Sequence, residues 1–305
     1  MRFVFYFITL LGLLLGCADD APRERTRSEV VRIAAISPAA ANILVGLERG
    51  HLIVGRHNYD SALDQSVPPV GDQSGIDYEK LISLKPTHVI VQTESQNIPT
   101  RLRELAQSSG FGITDISTLS LDDILDSAKA LEAEFAPGAG HSERFAEAIR
   151  QREPVTKDVG GVLVVMYSSP TVDVLGPGSA HQQIIERLGY TPAITEGKPY
   201  MPLGAEDVLA IDPGVIVFIR PRQPGTPTLA DGWVPTDEDL GVLAKLDIPA
   251  VRRGRVLLVD DPQALTSGTS LIRVIEDLER RLGGLSPLGS QHNDNDQHNA
   301  EAGPG

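Results

Sequence analysis

"GIDYEKLISLKP" (75–86) and "LGAEDVLAIDPG" (203–214) follow one pattern, 127 positions apart. When Glu79 is aligned with Glu206, apolar residues recur two, three and five places later, and a proline, Pro86 or Pro213, stands seven places later. Three places beyond each proline begins an apolar run, 89–91 or 216–218, of the kind that forms a buried strand. The sequence therefore predicts one unit twice: an acidic residue opening a short helix, a proline stop and a buried strand.

The rest of the chain alternates between strand-like and helix-like segments. Near-continuous apolar runs predict strands at 30–37, 51–55, 87–92, 112–117, 160–168, 215–220 and 255–260. Amphipathic stretches predict helices at 39–49, 77–84, 99–108, 120–135, 179–188, 205–211, 236–246 and 270–282. Because the alternation restarts at residue 160, we predict an α/β fold with two doubly wound, Rossmann-like lobes, over 30–136 and 156–284.

One segment joins the two predicted lobes. Pro137 and Pro154 bracket a stretch with helical character, which predicts a single bridging helix of about twelve to fourteen residues within 137–155. A stiff connection of this kind permits only small rotations of one lobe against the other. We therefore expect a ligand site between the lobes to be largely preformed.

Composition excludes one broad class of partner. The chain has 305 residues, with 27 Lys and Arg against 41 Asp and Glu, a formal net charge of −14. Such an acidic protein has no general field for attracting nucleic acid or anionic lipid head groups. We expect a globular monomer that binds no nucleic acid.

The first residues predict export and anchoring. "MRFVFYFITLLGLLLGC" (1–17) has one cation and an apolar run too short for a confident membrane span, which predicts a signal peptide over 1–16. The end of this run resembles the bacterial lipobox, which implies that Cys17, the one cysteine of the chain, is lipidated. A plain secretory signal with an incidental cysteine is the alternative. The polar residues 17–29 then form a tether, and the protein lies in the periplasm or at the cell surface, anchored to the membrane by its lipid.

The other end of the chain is polar. Residues 285–305 have few large apolar side chains, which predicts disorder. Two histidines and two aspartates there, at 292, 294, 296 and 298, are an alternative loose metal site, but a disordered segment would have to be ordered to form it.

Five phrases, in order, resemble the periplasmic binding proteins with a helical backbone, called class III, which serve importers of the ATP-binding-cassette (ABC) type. They are "RIAAISPAAANILVGLERGHLIVGRHNYD" (32–60), "PPVGDQSGIDYEKLISLKPTHVIVQ" (68–92), "LGPGSAHQQIIERLGY" (175–190), "GAEDVLAIDPGVIVF" (204–218) and "AVRRGRVLLVD" (250–260). The resemblance implies a carrier of vitamin B12, haem or an iron–siderophore. It also implies that Glu79 and Glu206, one on each lobe, dock onto arginine pockets of two permease subunits. A simpler reading is that each glutamate complements its helix dipole.

Ligands of open α/β sheets bind beyond the carboxyl ends of the strands. The loops at 37–42, 56–60, 93–95, 167–170, 176–182, 220–225 and 260–268 are therefore expected to line one cleft. Tyr59 and Tyr200 fall where similar vitamin B12 binders place aromatic residues against the corrin ring, and Tyr167 ends a strand nearby. Those binders have an aromatic residue at the position of Gln73. The alternative role for each tyrosine is a half-buried core residue.

Polar side chains of the same loops are candidates for contacts to a metal chelate. His57 and His181 are able to ligate cobalt or iron as neutral imidazoles, or to bind a bare ion together with Asp60 and Asp260. Arg220, and also Arg56 and Arg222, would meet ligand carboxylates. The alternative is that these side chains form hydrogen bonds within the protein or are solvated loop residues. Trp233 is either a cap on the second lobe or a further aromatic wall of the cleft.

No phosphate-binding, dinucleotide-binding, nucleophile-elbow or zinc-protease motif occurs in the sequence. We therefore predict no enzyme, no cofactor and no resident metal, but a substrate-binding lipoprotein of an ABC importer. The predicted ligand is cobalamin or another corrinoid, with an iron–siderophore or haem as the alternative. The predicted ligand-binding residues are Ser37, Pro38, His57, Tyr59, Tyr167, His181, Tyr200 and Arg220.

Overall fold

A computed structural model describes residues 30–93 and 97–288. The predicted signal peptide, Cys17, the whole predicted tether and residues 289–305 lie outside the described residues. The first residues of the predicted tail are described, and they pack against the second lobe. There Leu288 donates its backbone N–H to the carbonyl of Asp158 (2.7 Å) and Arg255 donates to the carbonyl of Pro287 (3.0 Å).

Two sheets form the centres of two lobes. The strands are β1 (Ile33–Ala35), β2 (Ile53–His57), β3 (Pro69–Asp72), β4 (Gly75–Ile76), β5 (His88–Val91), β6 (Gly112–Asp115), β7 (Val162–Tyr167), β8 (Val172–Leu175), β9 (Tyr200–Leu203), β10 (Val215–Ile219) and β11 (Val256–Val259). The N-terminal sheet has the order β4-β3-β2-β1-β5-β6, in which only β4 runs antiparallel to its neighbour. The C-terminal sheet has the order β11-β10-β7-β8-β9, in which β8 runs antiparallel to β7 and to β9.

Helices cover both faces of each sheet. They are α1 (Pro38–Gly46), α2 (Tyr78–Ser83), α3 (Thr100–Ser109), α4 (Leu121–Phe135), α5 (His141–Ala148), α6 (Ala180–Arg187), α7 (Ala205–Ile211), α8 (Asp237–Leu240), α9 (Pro249–Arg252) and α10 (Leu271–Gly283), with 3₁₀ turns at Gly50–Leu52 and Gly241–Lys245. Successive residues of a strand face opposite sides of its sheet, so Ala34 packs with α2 and α3 whereas Ile33 and Ala35 pack with α1 and α4. Both faces of the sheet are therefore buried, as the apolar strands predict.

The repeated sequence pattern forms a repeated structure. In each lobe a strand at the edge of the sheet, β4 or β9, leads into a short helix, α2 or α7, and then into an interior strand, β5 or β10. The residues before the two prolines, Lys85 and Asp212, share a left-handed backbone, with φ of 46° and 48°. Glu79 and Glu206 occupy the same second position of their helices and are both exposed. The two lobes thus carry equivalent acidic tips.

The connection between the lobes differs in length from the predicted one. The helix expected within 137–155 extends only over His141–Ala148, because Gly138 and Gly140 adopt left-handed conformations before it. Helix α4, which is longer, has its first turn in the core of the C-terminal lobe through Leu121 and Ile124. Its last turns pack in the core of the N-terminal lobe, so α4 and α5 together span the two lobes.

The turn between α4 and α5 depends on one carboxylate. Gly140, at the N-cap of α5, has no side chain to cap the helix. Glu132, a buried residue of α4, instead accepts hydrogen bonds from the N–H groups of Gly140 (2.6 Å) and Ser142 (2.7 Å). The pKa of Glu132 is lowered, and the hydrogen bond from the N–H of Ser142 is the largest cause. The carboxylate is therefore ionised, and it satisfies N–H groups at the start of α5.

Candidate ligand-binding cleft

A cavity of about 580 Å³ lies between the lobes, beyond the carboxyl ends of strands from both sheets. The first lobe contributes residues that follow β1, β2, β3, β5 and β6, and the second lobe contributes residues that follow β10 and β11. The lining residues are Pro38, Ala39, Tyr59, Ser61, Gln73, Gln92, Thr118, Pro221, Pro262, Leu265, Thr266 and Ser267. This is the position that the strand order predicts for a ligand, and we refer to this cavity as the cleft.

The lining of the cleft is neutral. It consists of three prolines, one tyrosine, two aliphatic side chains and six hydroxyl or amide side chains, and no lining residue is ionisable near neutral pH. Such a surface offers an apolar face and dispersed hydrogen bonds to a ligand. Within the described residues, it offers no opposing charge to an anion and no cluster of metal ligands.

The start of α1, which lies at the cleft, is closed to anions as well. Pro38 has no N–H group, and the N–H groups of Ala39 and Ala40 donate to the hydroxyl of Ser37 at 3.1 and 3.3 Å. The Ser37 hydroxyl in turn donates to Oε1 of Gln92 at 2.6 Å. Pro38 therefore lines the cleft, whereas the buried Ser37 caps the helix and donates to Gln92.

Tyr59 is the aromatic residue of the cleft. Its side chain is 65% exposed, and it follows β2, which ends at His57. His57 is buried, and burial lowers its pKa, so the imidazole is neutral at neutral pH. Its Nδ1 accepts the backbone N–H of Tyr59, so His57 supports the tyrosine from behind.

Two charged residues of the same loop are used internally. Arg56 is buried, and its guanidinium donates to the carbonyls of Val67, His57 and Asn58 and to the Gln65 side chain, at 2.7 to 3.0 Å. Asp60 is buried and accepts two backbone N–H groups with Oδ1, while burial raises its pKa. The four hydrogen bonds of the Arg56 guanidinium all go to its own loop, and a contact with a ligand carboxylate stays a prediction.

Tyr167 and Tyr200 lie outside the cleft lining, on the C-terminal sheet. Both are exposed, by 57% and 53%. Tyr167 pairs with Asp173 across β7 and β8. The pKa of Tyr200 is raised, mainly by the negative charge of Asp173 and also by a hydrogen bond with the same side chain. Tyr167 is the last residue of β7, which is parallel to β10, so the carboxyl ends of the two strands lie side by side. Pro221, just beyond the end of β10, lines the cleft. Both tyrosines are exposed on this sheet, with Asp173 interacting with each of them.

His181 does not reach the cleft. It is buried in α6, and its Nε2 donates to the carbonyl of Ala264 at 2.6 Å. Burial lowers its pKa, which keeps the ring neutral. His181 thus holds the loop at 262–266, in which Pro262 and Leu265 line the cleft, and its predicted contact with the ligand stays a prediction.

The cations after β10 are also engaged within the second lobe. Arg220 donates to the carboxylate of Asp239 (3.1 Å) and to its carbonyl, and its guanidinium lies 4.0 Å from the ring centroid of Phe218. Arg222 lies beside Asp260, with 3.9 Å between Nε and Oδ2. Neither arginine lines the cleft, so the structure does not support a ligand contact for Arg220.

Trp233 is a cap on the second lobe. Its ring packs edge-on against Phe218, with 6.2 Å between ring centroids, and it joins the core around β10. It is absent from the cleft lining. Of the two roles left open by the sequence, the structure supports the cap.

Metal-ligating side chains are dispersed. Within residues 30–93 and 97–288, no group of three or more His, Cys, Asp or Glu side chains is suited to hold a metal ion. His57 and Asp60 in the first lobe and His181 and Asp260 in the second therefore do not form the bare-ion site considered from the sequence. In the same part of the chain, no helix combines the length and apolar character needed to cross a membrane.

Several residues of the cleft were not singled out from the sequence. Ser61, Gln92, Thr118, Thr266 and Ser267 are small or neutral polar residues that follow strands. Their only signal is position, one to a few residues beyond a carboxyl end, and that signal is shared by many ordinary loop residues.

The chain matches one protein family along most of its length. A family model for periplasmic binding proteins matches residues 33–262. No curated protein sequence matches significantly.

Solved structures share the fold at low sequence identity. The periplasmic vitamin B12 binding protein of Vibrio cholerae is 22% identical, with a TM-score of 0.61, over 83% of this chain and 96% of that one. The periplasmic heme binding protein of the same species is 19% identical, with a TM-score of 0.64, over 83% and 98%. The periplasmic heme-binding protein of Roseiflexus sp. RS-1 is 22% identical, with a TM-score of 0.59, over 82% and 97%.

Proposed function

Because the chain belongs to the family of periplasmic binding proteins, we propose that it captures a metal chelate in the cleft and delivers it to an ABC importer. The chelate that the cleft favours is a corrinoid such as cobalamin. The family binds solutes for transport and is not an enzyme family, and the protein acts here as a binder without turnover.

The neutral lining of the cleft carries this proposal. A corrinoid holds its cobalt with its own ring nitrogens and carries amide groups around the ring, so it needs an apolar wall and neutral hydrogen-bonding groups. The prolines and Tyr59 supply the wall, and the serine, threonine and glutamine side chains supply the hydrogen bonds. A ligand rich in carboxylates would instead favour cations, and the arginines nearest the cleft are bonded within the protein.

The volume of the cleft is sufficient for part of a corrinoid. It lies within the range of about 300–1,000 Å³ that is common for small-molecule sites. A large macrocycle would extend beyond it, and Tyr167 and Tyr200 provide exposed aromatic surface on the second lobe for that part.

Haem is the second candidate, and one observation favours it. The phenol of Tyr59 is exposed in the cleft, and a tyrosine phenolate is an established axial ligand of haem iron. Two of the structural neighbours described above are heme-binding proteins, whereas the third binds vitamin B12.

Delivery would use the equivalent acidic tips of the two lobes. Glu79 and Glu206 are exposed, occupy the same position of the repeated unit and are 127 residues apart in the chain. An importer with two membrane subunits would receive one glutamate in each. Exposed charges of this kind act mainly on encounter and on specificity. Lipidation of Cys17 would keep the protein close to that importer.

Isothermal titration calorimetry of the full chain with cyanocobalamin, haemin and ferrichrome tests the ligand. Calorimetry is preferable to tryptophan fluorescence, because the one tryptophan packs against Phe218 away from the cleft. We expect saturable one-to-one binding of cyanocobalamin and no binding of the other two. Binding of haemin alone, with a phenolate charge-transfer band in the visible spectrum, would replace the corrinoid by haem, and binding of none would overturn the chelate proposal.

A further inference from the structure

A cluster of buried polar side chains joins the two lobes behind the cleft. Asn42, in the middle of α1, accepts the backbone N–H of Ser270 with Oδ1 at 3.0 Å. Its Nδ2 donates to the hydroxyl of Ser270 at 2.8 Å and to Oε1 of Gln263 at 3.1 Å. Asn42 and Ser270 are 5% and 8% exposed. One amide of the first lobe thus makes three hydrogen bonds to the second lobe.

Two glycines bring their backbone close to side chains at this seam. A Cβ on Gly268 would lie 2.4 Å from Oδ1 of Asn42, and a Cβ on Gly46 would lie 2.5 Å from Nε2 of His141 and 2.9 Å from the hydroxyl of Thr269. Both glycines are needed for contact rather than for backbone conformation. The geometry therefore fixes the distance between α1 and residues 263–270 within narrow limits.

The seam is directly connected to the cleft. Gln263, which accepts from Asn42, donates through Nε2 to the hydroxyl of Ser61 at 2.9 Å, and Ser61 lines the cleft. The first turn of α1 lines one wall of the cleft, and residues on both sides of Gln263 line the other. We call the group Asn42, Ser61, Gln263 and Ser270 the interlobe clasp.

We propose that Asn42, through the interlobe clasp, is the positioning residue that sets the separation of the two walls of the cleft, and that the lobes separate for ligand release by breaking it. Separation leaves the amide of Asn42 and the N–H of Ser270 without protein partners, which opposes opening. A second cavity of about 330 Å³ lies behind the clasp, lined in part by Asn42, Gly46, His141 and Ser270. It gives water a place to enter and satisfy those groups once the clasp is broken.

The distance between the lobes tests this proposal without a ligand. In the full chain with Cys17→Ser, spin labels on Gln107→Cys in the first lobe and Lys245→Cys in the second report the interlobe distance by double electron–electron resonance; both sites are exposed. We expect one narrow distribution for the parent chain, and a broader distribution with a longer component for Asn42→Ala. The matched control is Ile43→Val, at the next position of α1, whose side chain lies wholly in the core of the first lobe.

Gln263→Ala serves as the second variant if Asn42→Ala does not fold, because it leaves both hydrogen bonds between Asn42 and Ser270 in place; a smaller broadening is expected. Unchanged distributions in the folded variants, or equal broadening by Ile43→Val, would overturn the proposal. A further readout rests on the proposed function: dissociation of cyanocobalamin should be about tenfold faster in Asn42→Ala. If the parent chain does not bind cyanocobalamin, the proposed function fails while the distance measurement still decides the role of the clasp.

Discussion

The imidazole Nδ1 of His57 accepts a hydrogen bond from the backbone N–H of Tyr59 at 3.2 Å, and the two rings lie 5.8 Å apart. Because Nδ1 accepts, the ring carries its proton on Nε2. The loop after β2 is therefore held from the protein side, and the phenol is presented to the cleft. His57 acts through Tyr59, and the tyrosine is the residue whose replacement should affect ligand binding.

Replacement of Tyr59 separates the two ligand candidates. For a corrinoid, Tyr59→Phe keeps the aromatic face, so the affinity for cyanocobalamin should change by less than about threefold, whereas Tyr59→Ala should weaken it by about 30-fold, the usual effect of losing a buried aromatic contact. Calorimetric titrations of both variants give the comparison. The same two variants are titrated with haemin, for which an equal loss for Phe and Ala would show that the hydroxyl group matters, as expected for coordination to haem iron.

Reversal of the two acidic tips should separate docking from ligand binding. Glu79→Lys with Glu206→Lys is expected to abolish uptake of the ligand in cells and to leave its affinity for the purified protein within about twofold, since both side chains are exposed and neither lines the cleft. The control with the same change in charge is Glu104→Lys with Glu196→Lys, at two other exposed positions. Normal uptake by the first pair, or loss by the control pair, would contradict a docking role.

Neutralising Glu132 should destabilise the turn between the two connecting helices. In Glu132→Gln the acceptor for Gly140 or Ser142 loses its charge, and the free energy of unfolding should fall by about 1.5–3 kcal/mol, as is usual for hydrogen bonds to charged groups. The pKa of Glu132 in the folded protein is lower than its ordinary value of 4.5, so its contribution is complete above that pH and is lost as the pH falls through the folded pKa. Urea unfolding at neutral pH measures the change. Exposed Glu104→Gln, treated identically, should change stability by less than about 0.5 kcal/mol.

Mild acid should destabilise the protein through its buried histidines. Burial lowers the pKa of His181, and also that of His57 and His141, below the ordinary value of 6.5. Below about pH 6.5 the unfolded chain binds protons that the folded chain does not, so stability is complete above this pH and falls toward the folded pKa values. The slope should reach at most about 1.4 kcal/mol per pH unit for each histidine.

Urea unfolding of His181→Gln at pH 7.5 and at pH 5.5 tests how much of the acid-induced loss of stability is due to His181. Glutamine is able to donate to the carbonyl of Ala264 but does not titrate, so the loss of stability between the two pH values should be smaller than in the parent chain. The exposed His51→Gln should leave the loss unchanged. An undiminished loss in His181→Gln would show that acid acts elsewhere.

Most interior strands, the edge strands β6 and β11 and most helices follow from the sequence, whereas β3, β4, β8 and β9 do not. Buried strands such as β5 and β10 have an apolar residue at nearly every position, because both faces of the sheet are covered. Strands β3, β4, β8 and β9 lie toward the sheet edges, are two to four residues long and include Pro69, Gly75 and Pro202, which weaken any strand pattern. The predicted helix at 236–246 divides at Gly241, where a left-handed φ of 56° leads from α8 into a 3₁₀ turn.

The location of the cleft also follows from the sequence, but its chemistry only partly does. The carboxyl-end rule selects several of the lining loops, including those with Pro38 and Tyr59, but the expected loops at 167–170 and 176–182 contribute no lining residue. The rule does not predict which polar side chains form hydrogen bonds within the protein, because their partners are carbonyls and carboxylates brought close by the tertiary structure. Arg56, His181 and Arg220 are bonded in this way. Gln92 and Thr118 have no distinguishing pattern, so only the fold reveals them.

Helix α4 has a consequence for how the protein folds. Its first turn completes one hydrophobic core with Leu121 and Ile124, and its last turns complete the other with Ala128 and Leu131. A chain cut before or after this helix would leave one of the two cores with an open apolar face, so neither half is a self-sufficient folding unit. The two sheets should therefore lose amide protection together, in one cooperative transition, in spite of their separation in sequence.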